Sequence, residues 1–286
     1  MTKKWGRWGA EDERGALNRI TAEVVVRAAH TIRSGEAHSL AVPLQNGRGP
    51  IFAGRQPMQH FMTRHGGDYA AGLPEKGFGF ADDYILVATH GTTHIDALSH
   101  VWKDGLMWNG FPANTVTSVG AKVCDMAKTG PIVTRAILAD VDRGDGGPER
   151  PIGLDELRSA VLASGVTPAE GDALLVRTGW LRRWREGSAT VARWTGLDVE
   201  CAEWIDEQGF ALVGADNIAV EYGPSPDPMD AAPLHVALIR NCGIYLVELM
   251  DLESVFVAGR HEFMLCLAPM PLVGGVGSPV NPVAVL

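Results

Sequence analysis

At 286 residues, 46% hydrophobic and 21% charged, the chain is long enough to bury one large core and has neither the polarity of a disordered polymer nor the apolarity of a membrane protein. Its formal charge of −9, with no cluster of Lys and Arg interleaved with aromatics, argues against nucleic acid as a partner. No stretch approaches the about 20 apolar residues that span a bilayer, and the N-terminus holds no signal-peptide core, so a soluble cytoplasmic protein with no membrane partner is expected.

In chain order, residues 21–32 open on a capping Thr21 and keep helical spacing until Ser34 and Gly35, which predicts a helix. Residues 38–43 alternate as a strand does, and residues 45–77, rich in Gly, Pro and charge, read as a long irregular segment of the kind that forms lids or pocket walls. Further strands are expected at 84–89, 135–141, 173–178, 211–215 and 244–247, where β-branched and aliphatic residues run together. Helices fit between some of them, at 154–164, 199–208 and 232–241, the last stopped by Gly243. Residues 143–151 read as a surface loop. The four cysteines, Cys124, Cys201, Cys242 and Cys266, lie far apart and read as buried free thiols. This alternation predicts an α/β fold: one compact domain over residues 1–286, a mixed sheet with packed helices, and residues 1–35 as an N-terminal arm.

The chemistry concentrates directly after the strand expected at 84–89, in His90-Gly-Thr-Thr-His94-Ile-Asp96-Ala-Leu-Ser-His100. A tight turn through Gly91, Thr92 and Thr93 brings the His90 and His94 imidazoles to one point, and Asp96 projects to the same side if that stretch is extended. Two imidazoles and one carboxylate suit zinc, manganese or iron and leave positions open for water and substrate. His100 falls four residues beyond Asp96, beside such a metal if a helix has begun there, placed to act as general acid or base. The zincin pattern is absent because Gly91 follows His90, and there is no nucleophile elbow, Walker loop or dinucleotide fingerprint. Isolated histidines such as His30, His38, His60, His65 and His261 are ordinarily satisfied surface or core residues, and downstream His235 and Glu248 carry little weight by themselves.

The segment from His90 to His100 resembles the HxGTHxDxxxH signature of the cyclase family of metal hydrolases, which includes bacterial kynurenine formamidase and isatin hydrolase. Leu175-Val-Arg-Thr-Gly-Trp180, Val213-Gly-Ala-Asp216 and His235 followed by Val247-Glu248-Leu-Met-Asp-Leu252 resemble further family segments. Thr92 and the run Ala97-Leu-Ser depart from the pattern, which leaves the substrate open. The resemblance implies a swivelling β/β/α fold and a divalent ion, zinc or manganese, ligated by His90, His94 and Asp96. Glu248 and His235 would complete the site or hold a second ion, and His100 would be catalytic. It further implies hydrolysis of an amide, cyclic amide or lactone of a small molecule, with a lyase or ring-closing enzyme as the alternative and a non-catalytic metal-binding protein as a third reading. Trp102, Trp108 and Phe111 are close in sequence to the cluster and are expected to line the substrate pocket. A homo-oligomer, dimer or tetramer, is expected from the resemblance and from Trp5 and Trp8, which look exposed.

Overall fold

In the computed structural model, which describes residues 2–48, 54–68, 78–144 and 149–286, long-range strand pairing organises the chain. Leaving aside four strands of two residues each, the strands are β1 (Ala37–Ser39), β2 (Gln59–Arg64), β3 (Asp82–Leu86), β4 (His94–Asp96), β5 (Ile132–Asp140), β6 (Ala173–Arg177), β7 (Leu212–Ala215), β8 (Tyr245–Glu248), β9 (Glu262–Leu267), β10 (Gly277–Pro279) and β11 (Val283–Val285). Nine of them form one mixed sheet in the order β1-β11-β9-β5-β6-β7-β8-β4-β10. β5 to β8 run parallel, and the strands on both flanks are antiparallel.

Every residue of β6 and β7 is buried, which is why these stretches read as unbroken aliphatic runs: parallel strands are covered on both faces. The cover includes α1 (Ala22–Ala29), α2 (Leu154–Ala163) and α4 (Cys201–Glu207), while α3 (Trp180–Arg185) packs in a smaller apolar cluster with Trp194 and Ile218. α1 begins where expected, with Thr21 Oγ1 accepting from the Val24 N–H at 3.4 Å. The helix expected at 232–241 is one α-turn, Pro233–His235, continued as a π-helix, Val236–Cys242. Gly243 stops it at φ 69°, where a Cβ would collide with Gly15 and the Trp108 ring.

Three expectations are corrected. The segment at 45–77 is not irregular throughout, because β2 lies in it and pairs with β3 as a hairpin apart from the main sheet; residues 49–53 and 69–77, like 145–148 of the expected 143–151 loop, lie outside the described residues. β3, part of the strand expected at 84–89, is exposed along its whole length because, among the described residues, β2 is its only strand neighbour. Trp5 and Trp8 are not left for a neighbouring subunit: Trp5 Nε1 donates to Arg240 O at 2.7 Å, and the Trp8 ring sits 6.0 Å from that of Trp108, against this chain's own core. Their segment is tied down by Lys4, Arg7 and Arg19, which converge on the Asp206 carboxylate at 3.6, 2.8 and 2.5 Å. Among the described residues no helix is long and apolar enough to cross a membrane.

Candidate metal centre

The site lies where the parallel block meets its antiparallel edge. In the β8–β4 ladder Glu248 is paired with His94, and in the β4–β10 ladder Asp96 is paired with Gly277. Residues two apart on a strand share a face, so this register puts His94, Asp96 and Glu248 on one side of the sheet. His94 Nε2 is 3.4 Å from Asp96 Oδ1 and 3.5 Å from Glu248 Oε2.

His90 enters from the turn before β4, its Nε2 3.4 Å from Asp96 Oδ1, and the Arg55 guanidinium donates to its carbonyl. A Cβ at residue 277 would fall on the His90 imidazole, so Gly277 is what lets the ring lie there. His100 is not carried by a helix. The pairing of β4 on both edges keeps residues 94–96 extended, the Ala97 N–H is taken by Val276 O at 3.0 Å, and the chain turns back, with the His100 N–H donating to Ala97 O at 2.9 Å. The turn stacks the His100 ring on that of His90 at 4.1 Å, with Nε2 3.9 Å from Asp96 Oδ1. From the far side, His235 brings Nε2 to 3.6 Å from Asp96 Oδ2 and 3.2 Å from Glu248 Oε1. Four imidazoles and two carboxylates thus surround one buried point.

The donor set fits a divalent cation. Among the described residues, His94 Nε2 and both Asp96 oxygens are buried with no hydrogen-bond partner, which is costly unless something else satisfies them. His94 Nδ1 donates to Thr92 O at 2.7 Å, so its Nε2 carries the lone pair that a ligand needs. Two groups have ligand atoms all within 4.8 Å of one another, His90 with Asp96 and His100, and His94 with Asp96 and Glu248. Asp96 belongs to both.

The electrostatics agree. Burial pushes the Asp96 carboxyl up, but His100, His94 and His90 outweigh it and hold it well below the ordinary carboxylate range. Glu248 behaves alike, with His94 and His235 outweighing burial, and His94 is raised because Glu248 and Asp96 overcome its own burial. His235 is raised well above its ordinary value, burial being overcome by Glu221 and Glu248, whereas burial lowers His90 to about 3 despite Asp96. The centre is a pair of buried anions drawing positive charge.

A cavity of about 280 Å³ opens over it, with His100, His235 and Glu248 at its base and Trp194, Ile218 and Tyr222 on its walls. Trp102, Trp108 and Phe111 are elsewhere. Trp102 is half exposed, Phe111 packs against the core, and Trp108 is fully buried with Nε1 3.1 Å from Asp12 Oδ2. Among the described residues none of the three lines this cavity, because the chain turns away after His100. Apart from Val101 and Arg55, the wall comes instead from residues some 90 positions or more further on, which proximity in sequence cannot point to. Glu221, whose carboxylate makes a short contact with His235 Nδ1, was also missed, since nothing in its spacing separates it from a solvated acid.

Behind the site, Asp216 Oδ1 accepts from the Thr178 N–H and Oγ1–H, both at 2.7 Å, and Oδ2 from the Gly179 N–H at 2.8 Å, fastening the end of β6 to that of β7. Burial pushes this carboxyl up to about 6 against those hydrogen bonds.

Comparison with known proteins agrees with the geometry. The model of the Cyclase family matches residues 38–222. The chain belongs to the cyclase family. A crystal structure of a novel cyclase superposes at a TM-score of 0.92 with 37% identity, 100% of each chain being covered. The kynurenine formamidase of Salinibacter ruber is 27% identical over 201 residues, 70% of this chain and 77% of that protein. Isatin hydrolase A from Ralstonia solanacearum, 22% identical, shares the fold at a TM-score of 0.66 over 93% of this chain and 98% of that one.

Proposed function

We propose that the chain is a metal-dependent hydrolase that cleaves or opens an amide, cyclic amide or lactone of a small molecule and releases a carboxylate. One observation carries this: the buried, unpartnered oxygens of Asp96 lie among imidazoles that reach the base of a cavity of small-molecule size. Similarity to kynurenine formamidase supports a carbon–nitrogen bond as the one broken.

His90, His94 and Asp96 would hold a zinc or manganese ion, with Glu248 and His235 completing the set or holding a second one. Such an ion lowers the pKa of a water and polarises a carbonyl. The chain's own residues do the rest. His100, the most exposed imidazole of the cluster, faces the cavity and passes a proton to the departing nitrogen or oxygen. Trp194, Ile218 and Tyr222 enclose the apolar part of the substrate and keep bulk water from the reacting carbonyl.

The test is elemental analysis after loading with zinc or with manganese, followed by turnover assays on aryl formamides, cyclic imides and lactones. Stoichiometric metal with hydrolysis of one class is expected. A loaded protein that hydrolyses none of the three, or one that retains neither ion, overturns the reading.

A further inference from the structure

We propose that Glu221 is the positioning residue of the centre, fixing which nitrogen of His235 faces Asp96 and Glu248; this rests on the reading of the cluster as a metal site. Both of its oxygens grip one short turn. Oε2 accepts from the Leu234 N–H at 3.0 Å, while Oε1 accepts from the His235 N–H at 3.2 Å and makes the short contact with His235 Nδ1. Glu221 therefore caps the turn Pro233–His235 and holds the ring which that turn carries. With Nδ1–H given to Glu221, Nε2 is the atom that faces Glu248 at 3.2 Å and Asp96 at 3.6 Å.

The backbone is bent to deliver this carboxylate. Ala219 and Val220 both have positive φ, 74° and 57°, a region that a β-branched residue occupies rarely, and the Glu221 N–H closes a tight turn onto Ala219 O. Such strain persists where the surroundings over-determine it. Here they do: Asn217 Nδ2 donates to Thr195 O at 2.6 Å, Trp194 Nε1 to Glu221 O at 2.8 Å, and the Leu197 N–H to Val220 O at 3.0 Å.

A carboxylate is required, not merely a polar group of that size. Three donors, two from the backbone and one from the ring, converge on two acceptor oxygens. A glutamine has one acceptor oxygen, so its NH₂ would point a donor either at Leu234 N–H or at the imidazole, and in the second case the ring is driven to the other tautomer.

The experiment compares the full-length parent with Glu221→Gln and Glu221→Asp, using titration with Zn²⁺ alone and Mn²⁺ alone, thermal midpoints, and ¹H–¹⁵N correlation spectra of the histidine side chains. In the parent, a His235 Nδ1–H resonance is expected. Glu221→Gln should bind metal about 10–100-fold more weakly, as is typical when an outer partner of a metal-binding histidine is altered, and should lose that resonance where its NH₂ takes the imidazole side. Glu221→Asp, which keeps two acceptor oxygens on a shorter stem, should recover part of both. A folded Glu221→Gln with the Nδ1–H resonance and parental affinity overturns the proposal, as does a parent without that resonance. If Glu221→Gln does not fold, Glu221→Asp decides by the same two readings. If the parent binds neither ion, the metal reading fails, and the resonance alone still judges Glu221.

Discussion

His94 and Glu248 sit directly opposite each other in the β4–β8 ladder, and their side chains meet 3.5 Å apart over the buried Asp96. Removing the imidazole takes away a ligand and leaves two buried carboxylates with less positive charge between them. His94→Ala is expected to lose metal and activity together, and its apo form to be less stable by about 3 kcal/mol or more, as when one partner of a buried charge pair is deleted. Full metal occupancy by elemental analysis in this variant would remove His94 from the ligand set.

His100 is set apart from the other imidazoles by its exposure to the cavity, at 25% of its side chain. His100→Asn should keep the fold and the metal while turnover falls by about 10²–10⁴-fold, the usual loss for a general acid or base. Metal lost in step with activity makes His100 a ligand, in line with its grouping with His90 and Asp96. Unchanged turnover removes it from the chemistry.

Gly277 underlies the His90 ring, and any side chain there would meet the imidazole. Gly277→Ala is expected to weaken metal binding by about tenfold or more, because misplaced ligands bind poorly. Calorimetric titration giving parental affinity in a folded Gly277→Ala would show that the ring can shift freely.

Asp206 ties Lys4, Arg7 and Arg19 to the body, so Asp206→Ala should cost about 3 kcal/mol in urea denaturation, the low end of the range for a broken buried pair because Arg7 is 33% exposed and can reach water. Burial raises the Asp206 carboxyl, but its hydrogen bonds from Arg7 and Arg19 outweigh that and hold it below the ordinary 3.8. A depressed carboxylate contributes stability above its unfolded value and loses it as pH falls through the folded value, so the segment should loosen only below about pH 4. Fluorine NMR of fluorotryptophan-labelled protein, with the Trp5 and Trp8 signals assigned among the eight tryptophans, should follow this acid limb in the parent and not in the variant. An identical limb in both refutes the assignment.

A homo-oligomer remains expected, now from the β2–β3 hairpin. Phe61, Tyr84 and Leu86, which share one face of the ribbon, are each more than half exposed, leaving on the order of 400 Å² of side chain, roughly half of the about 800 Å² that a standard interface buries per partner. A two-stranded ribbon is marginal alone, and a second copy of this chain packed on it would cover it. Sedimentation should show a dimer or tetramer at micromolar concentration and a monomer for the double variant Phe61→Ser, Tyr84→Ser. A parent that sediments as a monomer throughout sinks the idea.

The sequence was most informative where local chemistry and strand period coincide. β6 and β7 are legible because parallel strands buried on both faces are uniformly apolar, and the cluster from His90 to His100 is legible because strand alternation and one tight turn suffice to gather it. Hairpin β2–β3 is harder, since its polar and apolar residues follow no buried face. Glu221 and Trp194 escape because their roles depend on a turn at Ala219 and Val220 that propensity would reject. The cost of that turn is visible only once its hydrogen-bond partners are in place.

Register and turn geometry respond differently to mutation. The ligands on β4 and β8 are locked in pairs, since a slip of β4 by one residue would send His94 and Asp96 together to the face opposite Glu248, so drift at this floor is all or none. Ile218 and Tyr222 stand on a connecting segment outside that ladder, where exchange alters the shape of the opening without re-registering a strand. Selectivity can therefore diverge among descendants of this chain while the paired ligands of β4 and β8 are inherited intact, and a library confined to Ile218 and Tyr222 should yield variants of altered substrate preference, of which those that leave Glu221 on His235 keep their metal.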